Sequence, residues 1–200
     1  LKLNASPLVP RPDTETVVDL ALPFLKDTVR LTGTCRILDL GTGTGAIALA
    51  LLSTVAGTVA LGSDISEEAL DAAERNAAAL GLEDRFAPVH SDWFGAIDGE
   101  FDLIVSNPPY IRSPDIATLD ADVRDHDPRA ALDGGEDGLA AYRILAEQAP
   151  RHLSDHGAIA VEIGHDQKDE VTILFEGFGF RRLAERNDYS GHDRALFFVK

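Results

Sequence analysis

Basic residues and sulfur-bearing side chains are scarce in this chain. Its 18 Lys and Arg stand against 34 Asp and Glu, a formal net charge of −16. A field of that sign repels phosphate backbones, and nucleic-acid affinity is built largely from Lys and Arg contacts. No run of basic residues relieves it, so nucleic acid is a disfavoured partner. A single cysteine, Cys35, excludes an internal disulfide. That fits a reducing cytoplasm, and Cys35, opening an apolar run, reads as a small core residue. No apolar run approaches the ~20 residues that span a bilayer. The opening Leu1-Lys2-Leu3-Asn4 also lacks the charged-then-apolar order of a secretion signal. Methionine is absent altogether, the initiator included, so the expectation is a piece of something longer. The six histidines show no metal-ligand spacing such as His-Glu-x-x-His. Asp115, Asp120, Asp122, Asp125 and Asp127 read as a solvated acidic loop, so no metal is expected.

What is present is enough apolar matter for one core. Two hundred residues at 44% hydrophobic content fit one globular domain. Residues 1–12, with Pro7, Pro10 and Pro12, read as an extended arm. Asp13 or Thr14 then caps a helix with Val17, Val18, Leu20, Ala21 and Leu25 on its apolar face. Strands are expected at Cys35–Leu40, Thr58–Ser63, Arg85–His90, Phe101–Val105, Gly157–Ile163, Phe180–Ala184 and Ala195–Val199. Helices alternate with them, after Gly45, from Ser66 to Leu80, from Leu139 to Leu153 and from Lys168 to Phe175. That alternation predicts an α/β, doubly wound, mostly parallel seven-stranded sheet with a C-terminal antiparallel strand. The arm and helix of residues 1–30 are expected to pack on a domain of residues 31–200.

Chemistry gathers at the strand ends. The first strand runs into Gly41-Thr42-Gly43-Thr44-Gly45 and then a helix. In that arrangement a ligand meets the backbone closely at a helix amino terminus. Asp64 ends the second strand, where a carboxylate can accept hydrogen bonds from ribose hydroxyls. Asp92 and Trp93 follow the third, where an acid and a ring can bind and cover a purine. After the fourth comes Ser106-Asn107-Pro108-Pro109-Tyr110. Two prolines cannot donate ladder hydrogen bonds and hold φ near one value, so the strand stops in a stiff loop. That loop carries one carboxamide, able both to donate and to accept, and one ring. A plain proline-rich turn capped by Asn107 is the competing reading. In open sheets of this kind ligands bind outside the carboxyl ends of the strands, so the four segments converge on one crevice. The turn is Gly-x-Gly-x-Gly rather than the dinucleotide fingerprint, and no Gly-Lys-Ser/Thr is present to grip phosphate. An adenosine ligand without a required pyrophosphate, S-adenosylmethionine, fits.

These residues carry a resemblance. Asp39-Leu40-Gly41-Thr42-Gly43-Thr44-Gly45 resembles motif I of class I methyltransferases, and Asn107-Pro108-Pro109-Tyr110 resembles their amino- and amide-methylating motif. Residues Val9 to Glu15, Asp127 to Gly135 and Tyr189 to Arg194 resemble the release-factor glutamine methyltransferase family more specifically. The likeness covers essentially the whole chain. It implies a Rossmann-like fold and methyl transfer to the glutamine of the Gly-Gly-Gln motif of peptide chain release factors; the expected location is the cytoplasm and the expected state a monomer. It implies that Gly41, Thr42, Gly43, Thr44 and Gly45 wrap the methionine part of the cofactor, Asp64 the ribose, and Asp92 with Trp93 the adenine. Asn107 would sit between cofactor and substrate, with Pro108, Pro109 and Tyr110 completing the substrate pocket. The family usually carries a small helical amino-terminal domain, to which nothing in this chain corresponds.

Two further residues sit beside the motifs. Arg11 is a basic group next to one of them, able to steady a substrate loop or to make a surface ion pair. Glu162 and His165 end the fifth strand beside the crevice and can line it. Two rival readings stand against glutamine methylation. One is methylation of an adenine or guanine exocyclic amine, with Tyr110 stacked on a flipped base. The other is a nucleotide-sensing module without catalysis.

Overall fold

The computed structural model describes residues 12–119 and 128–200. Its centre is a seven-stranded sheet formed by β1 (Cys35–Leu40), β2 (Thr58–Asp64), β3 (Phe86–His90), β4 (Phe101–Ser106), β5 (Leu153–Glu162), β6 (Arg181–Asn187) and β7 (Asp193–Val199), in the order β3-β2-β1-β4-β5-β7-β6. β1 to β5 pair in parallel, and β7 runs antiparallel to both β5 and β6. Successive side chains on a strand point to opposite faces, and two cores result. Ile37, Leu103, Ala158, Ala160 and Phe197 face helices α1 (Pro12–Thr32), α2 (Ala46–Thr54) and α3 (Glu67–Ala79). Their neighbours Leu38, Ile104, Ile159, Val161 and Phe198 face the helices that follow the central loop. There Phe175 and Phe198 stack at 4.5 Å, both fully buried, and each such side chain contributes about 1.5–3 kcal/mol. Burial on both faces explains why the inner strands are apolar runs rather than alternating ones.

Strand order reverses between β1 and β4, which are themselves parallel. β2 and β3 lie outward of β1 on one side, and β4 and β5 on the other. Register sets the strand ends level: Leu40 pairs with Ser63 and Ser106, and Ser106 with Val161. These ends meet at the switch point of the sheet, the place where ligands bind in folds of this kind.

The central loop, residues 107–139 between β4 and the next long helix, is partly structured among its described residues. Ile111 bridges to Asp133, a 3-10 turn covers Ile116–Thr118, and a four-residue helix α4 spans Arg129–Leu132. Helices α5 (Ala140–Gln148) and α6 (Lys168–Gly177) flank β5.

Among the boundaries that differ from expectation, three have a clear cause. Pro12 opens α1 rather than closing the arm, because a first helical residue needs no N–H. The same helix continues through Pro23 to Thr32, anchored on both sides of that residue by the buried Val17, Ala21 and Leu25. The helix expected to reach Leu153 stops at Gln148 and gives a 3-10 turn around Pro150. β5 then starts at Leu153, earlier than Gly157, because Leu153 pairs with Phe101 across a register irregularity. Among the described residues no helix is long and apolar enough to cross a membrane.

Candidate active site

The glycine turn is built from below by Asp39. Its Oδ2 accepts from Thr42 Oγ1 at 2.8 Å and from the Ala48 N–H at 3.1 Å. One carboxylate thus closes the turn and holds the first turn of α2. Gly41, Gly43 and Gly45 have φ of 69°, 55° and 81°, a region that side chains with a Cβ avoid. A Cβ on Gly45 would stand 3.0 Å from Leu49 Cδ1 and 3.3 Å from Ala73 Cβ, whereas one on Gly41 or Gly43 would meet nothing within 4 Å. Gly45 serves close packing; Gly41 and Gly43 leave open backbone. Asp39 is buried, and its Oδ1 has no hydrogen-bond partner among the described residues. Burial pushes its pKa up to about 6; the bonds from Thr42 and Ala48 pull the other way, and the charge of Asp64 adds to the rise.

The end of β2 is tied to the same turn. Asp64 Oδ2 accepts from the Gly43 N–H and Oδ1 from the Ser66 N–H, both at 2.9 Å. The Thr42 N–H donates to the Ser63 carbonyl at 2.9 Å. Ser66 caps α3 by accepting from the Ala69 N–H. At the end of β3 the Ser91 N–H donates to the Asp64 carbonyl at 3.0 Å. The Ser91 hydroxyl donates to the Trp93 carbonyl and accepts from the Ala96 N–H. Asp92 is exposed in this turn. Trp93 is the one non-glycine among the described residues with positive φ, at 49°. Its half-buried ring packs on the core cluster that also receives Tyr110.

Beyond β4 the chain is held in place by residues distant in sequence. The buried Ser106 hydroxyl donates to the Leu40 carbonyl at 2.7 Å, fixing the end of β4 to the end of β1. Asn107, one residue past that pairing, is exposed; Pro108 is buried, and Pro109 and Tyr110 are half-buried. The carboxamide of Gln167 lies under the loop. Its Nε2 donates to the carbonyls of Tyr110 (3.0 Å) and Gly138 (3.2 Å), and its Oε1 accepts from the Gly164 N–H at 3.0 Å. A Cβ on Gly134 would stand 2.8 Å from the Pro109 carbonyl oxygen. At the ring tip the Tyr110 hydroxyl donates to Glu162 Oε1 at 3.4 Å and accepts from Arg194 Nη1 at 3.3 Å.

The methyltransferase small domain family matches residues 14–121. A release factor glutamine methyltransferase of Agrobacterium fabrum is 55% identical over 198 residues, covering 99% of this chain and 68% of that protein. One of Rhodospirillum rubrum is 50% identical, covering 98% of this chain and 59% of that protein. The chain belongs to the release factor glutamine methyltransferase family. Its fold is that of class I methyltransferases. A ribosomal protein L11 methylase from Lactobacillus delbrueckii subsp. bulgaricus superposes with a TM-score of 0.66 at 22% identity, over 91% of this chain and 76% of that one. A methyltransferase from Pyrococcus furiosus gives 0.67 at 20% identity, over 100% and 88%.

The family's cofactor is S-adenosylmethionine, and the crevice suits it. A buried carboxyl with one unpartnered oxygen lies under the turn, and the backbone of Gly41 and Gly43 is open. Asp64 spends one N–H contact on each oxygen, leaving lone pairs for hydroxyl groups. Gly41–Gly45, Asp64 and Asn107–Tyr110 are joined to one another through β1, β2 and β4, while Asp92 and Trp93 join through Ser91. Arg11 lies outside the described residues. Glu162 reaches the site through Tyr110, whereas His165 is exposed and meets the ring of His192 at 5.7 Å. Gln167 and Arg194 were not singled out by the sequence. Arg194 ends a stretch whose resemblance to the family was its only signal. Among the described residues no group of three or more His, Cys, Asp or Glu can hold a metal ion. Two surface cavities, about 300 and 980 Å³, lie at the opposite ends of the strands and beside α1.

Proposed function

We propose that this chain transfers the methyl group of S-adenosylmethionine to the side-chain amide nitrogen of glutamine in the Gly-Gly-Gln loop of a peptide chain release factor. The observation that carries the reading is the exposed Asn107 on a proline-stiffened loop, one residue past the level of Leu40, where the glycine turn starts. Bound there, the cofactor supplies a methyl already activated by a positively charged sulfur. The protein's task is to place the attacking atom. A glutamine nitrogen is a poor nucleophile because its lone pair is delocalised into the carbonyl. Asn107 Oδ1 and the Pro108 carbonyl accept the two amide hydrogens, which aims the nitrogen and favours the charge that develops on it. Tyr110 packs against the flat amide, and Pro109 completes the pocket. As the new N–C bond forms and the C–S bond breaks, the nitrogen becomes acidic and its proton passes to water.

In this reading Gly41, Thr42, Gly43, Thr44 and Gly45 wrap the methionine part. Asp64 binds the ribose, and Asp92 with Trp93 the adenine. Arg11 steadies the substrate loop. Helix α1 belongs to the expected unit of residues 1–30 and packs on the methyltransferase domain of residues 31–200. The arm expected before it lies outside the described residues, and the enzyme works as a monomer in the cytoplasm. The net charge of −16 supports a protein acceptor over a nucleic acid.

The test is methyl transfer from labelled S-adenosylmethionine to a bacterial release factor, beside its Gln→Ala form, bulk DNA and bulk RNA. Label on the unmodified factor alone is expected. Label on nucleic acid would replace this reading with base methylation.

A further inference from the structure

Arg194 is out of place in the chemistry just described. The acceptor amide is neutral and the sulfur that carries the methyl is positive, so neither reacting group calls for a guanidinium nearby. The side chain is nonetheless 15% exposed and committed in three directions. Nη2 donates to Asp188 Oδ2 at 3.2 Å, and Nη1 to the Ile163 carbonyl at 3.4 Å and the Tyr110 hydroxyl at 3.3 Å. Asp188 is itself held, its Oδ1 accepting from the Ser190 and His192 N–H groups. Glu162, 2% exposed, accepts from the same Tyr110 hydroxyl. Its ion pair with Asp188 offsets the positive charge of the guanidinium beside a site that takes a sulfonium.

The arrangement fixes Tyr110 at both ends. The hydroxyl accepts from Arg194 and donates to Glu162, and these two bonds hold the tip of the ring. The backbone end is pinned by Gln167. We propose that Arg194 is a positioning residue for methyl transfer, acting through the Tyr110 hydroxyl to set the angle at which the ring holds the acceptor amide. The inference rests on the reading of the site given above.

The test measures release-factor methylation and cofactor binding in Arg194→Ala, Arg194→Lys, Tyr110→Phe and the two double variants with Tyr110→Phe. Arg194→Ala is expected to lower kcat by about tenfold to a hundredfold, with the cofactor dissociation constant and the KM for the factor within about twofold of wild type. Arg194→Lys keeps the charge without the planar fork and recovers part of the rate. The double variants should be no slower than the slower single variant, because both changes remove one interaction. A merely structural role would instead lower thermal stability and cofactor affinity together and add to the Tyr110→Phe loss. If Arg194→Ala does not fold, Arg194→Lys with Tyr110→Phe completes the same cycle. Additive losses, or an unchanged kcat, overturn the proposal. A wild-type protein that methylates no release factor fails at the control, and takes both this inference and the proposed function with it.

Discussion

Asp39→Asn separates stability from function at one atom. Asp39 is fully buried, and burial lifts its pKa from 3.8 to about 6. A carboxyl raised in the folded state contributes its stability below its unfolded pKa and loses it as pH rises through the folded one. The full loss is on the order of 3 kcal/mol, and about 1.4 kcal/mol of it falls between pH 5 and pH 7.5. Asparagine keeps an oxygen for the Thr42 hydroxyl and the Ala48 N–H but does not ionise. Urea unfolding of the cofactor-free proteins, followed by circular dichroism, should show the variant gaining on wild type by about 1.4 kcal/mol across that interval. The fixed cost of burying an amide N–H2 cancels, because only the change with pH is read. The same variant should bind S-adenosylmethionine more weakly at pH 7.5, having lost a negative charge beneath a cationic ligand. A difference between the two proteins that stays constant from pH 5 to pH 7.5 would refute the reasoning.

Three other substitutions probe the loop. Asn107→Ala should leave cofactor affinity near wild type while turnover of the release factor falls by about a hundredfold; isothermal titration and initial rates read the two separately. Gln167→Glu changes one NH2 to an oxygen facing two carbonyls. Leaving those acceptors unmatched should cost about 1–3 kcal/mol in urea unfolding, with a lower kcat as Tyr110 loses its backbone anchor. Gly138→Ala places a Cβ 2.6 Å from both Gln167 Nε2 and the Tyr110 carbonyl oxygen, at a φ of 76°. It should destabilise by at least about 1 kcal/mol and slow turnover in parallel, read by thermal unfolding and initial rates.

What could be read from the sequence was whatever a residue type enforces locally. Glycines at positive φ mark the turn after β1, and paired prolines end β4 wherever they occur. Strand length and alternation with helices were enough for the sheet, whereas the division of the expected single core into two, one on each face, appears only in the structure. The supports of the loop were hidden because they act across the chain. Gln167 lies 57 residues from Tyr110 and Arg194 lies 84 away, and neither carries a spacing or a composition that points there. Glu162 was noticed for its place at a strand end, yet its tie to Tyr110 appears only once β5 and β4 are side by side. The misplaced start of β5 has the same origin: the helix expected to run to Leu153 ends before Pro150, and the pairing of Leu153 with Phe101 is a tertiary fact.

The most direct measurement of the central claim is fragment-ion mass spectrometry of a release factor treated with this protein and S-adenosylmethionine. The account predicts a single methyl on the side-chain amide of the glutamine in the Gly-Gly-Gln loop, absent when Asn107→Ala replaces the wild type at equal concentration. A methyl on any other residue, or one that Asn107→Ala installs at the wild-type rate, would contradict it.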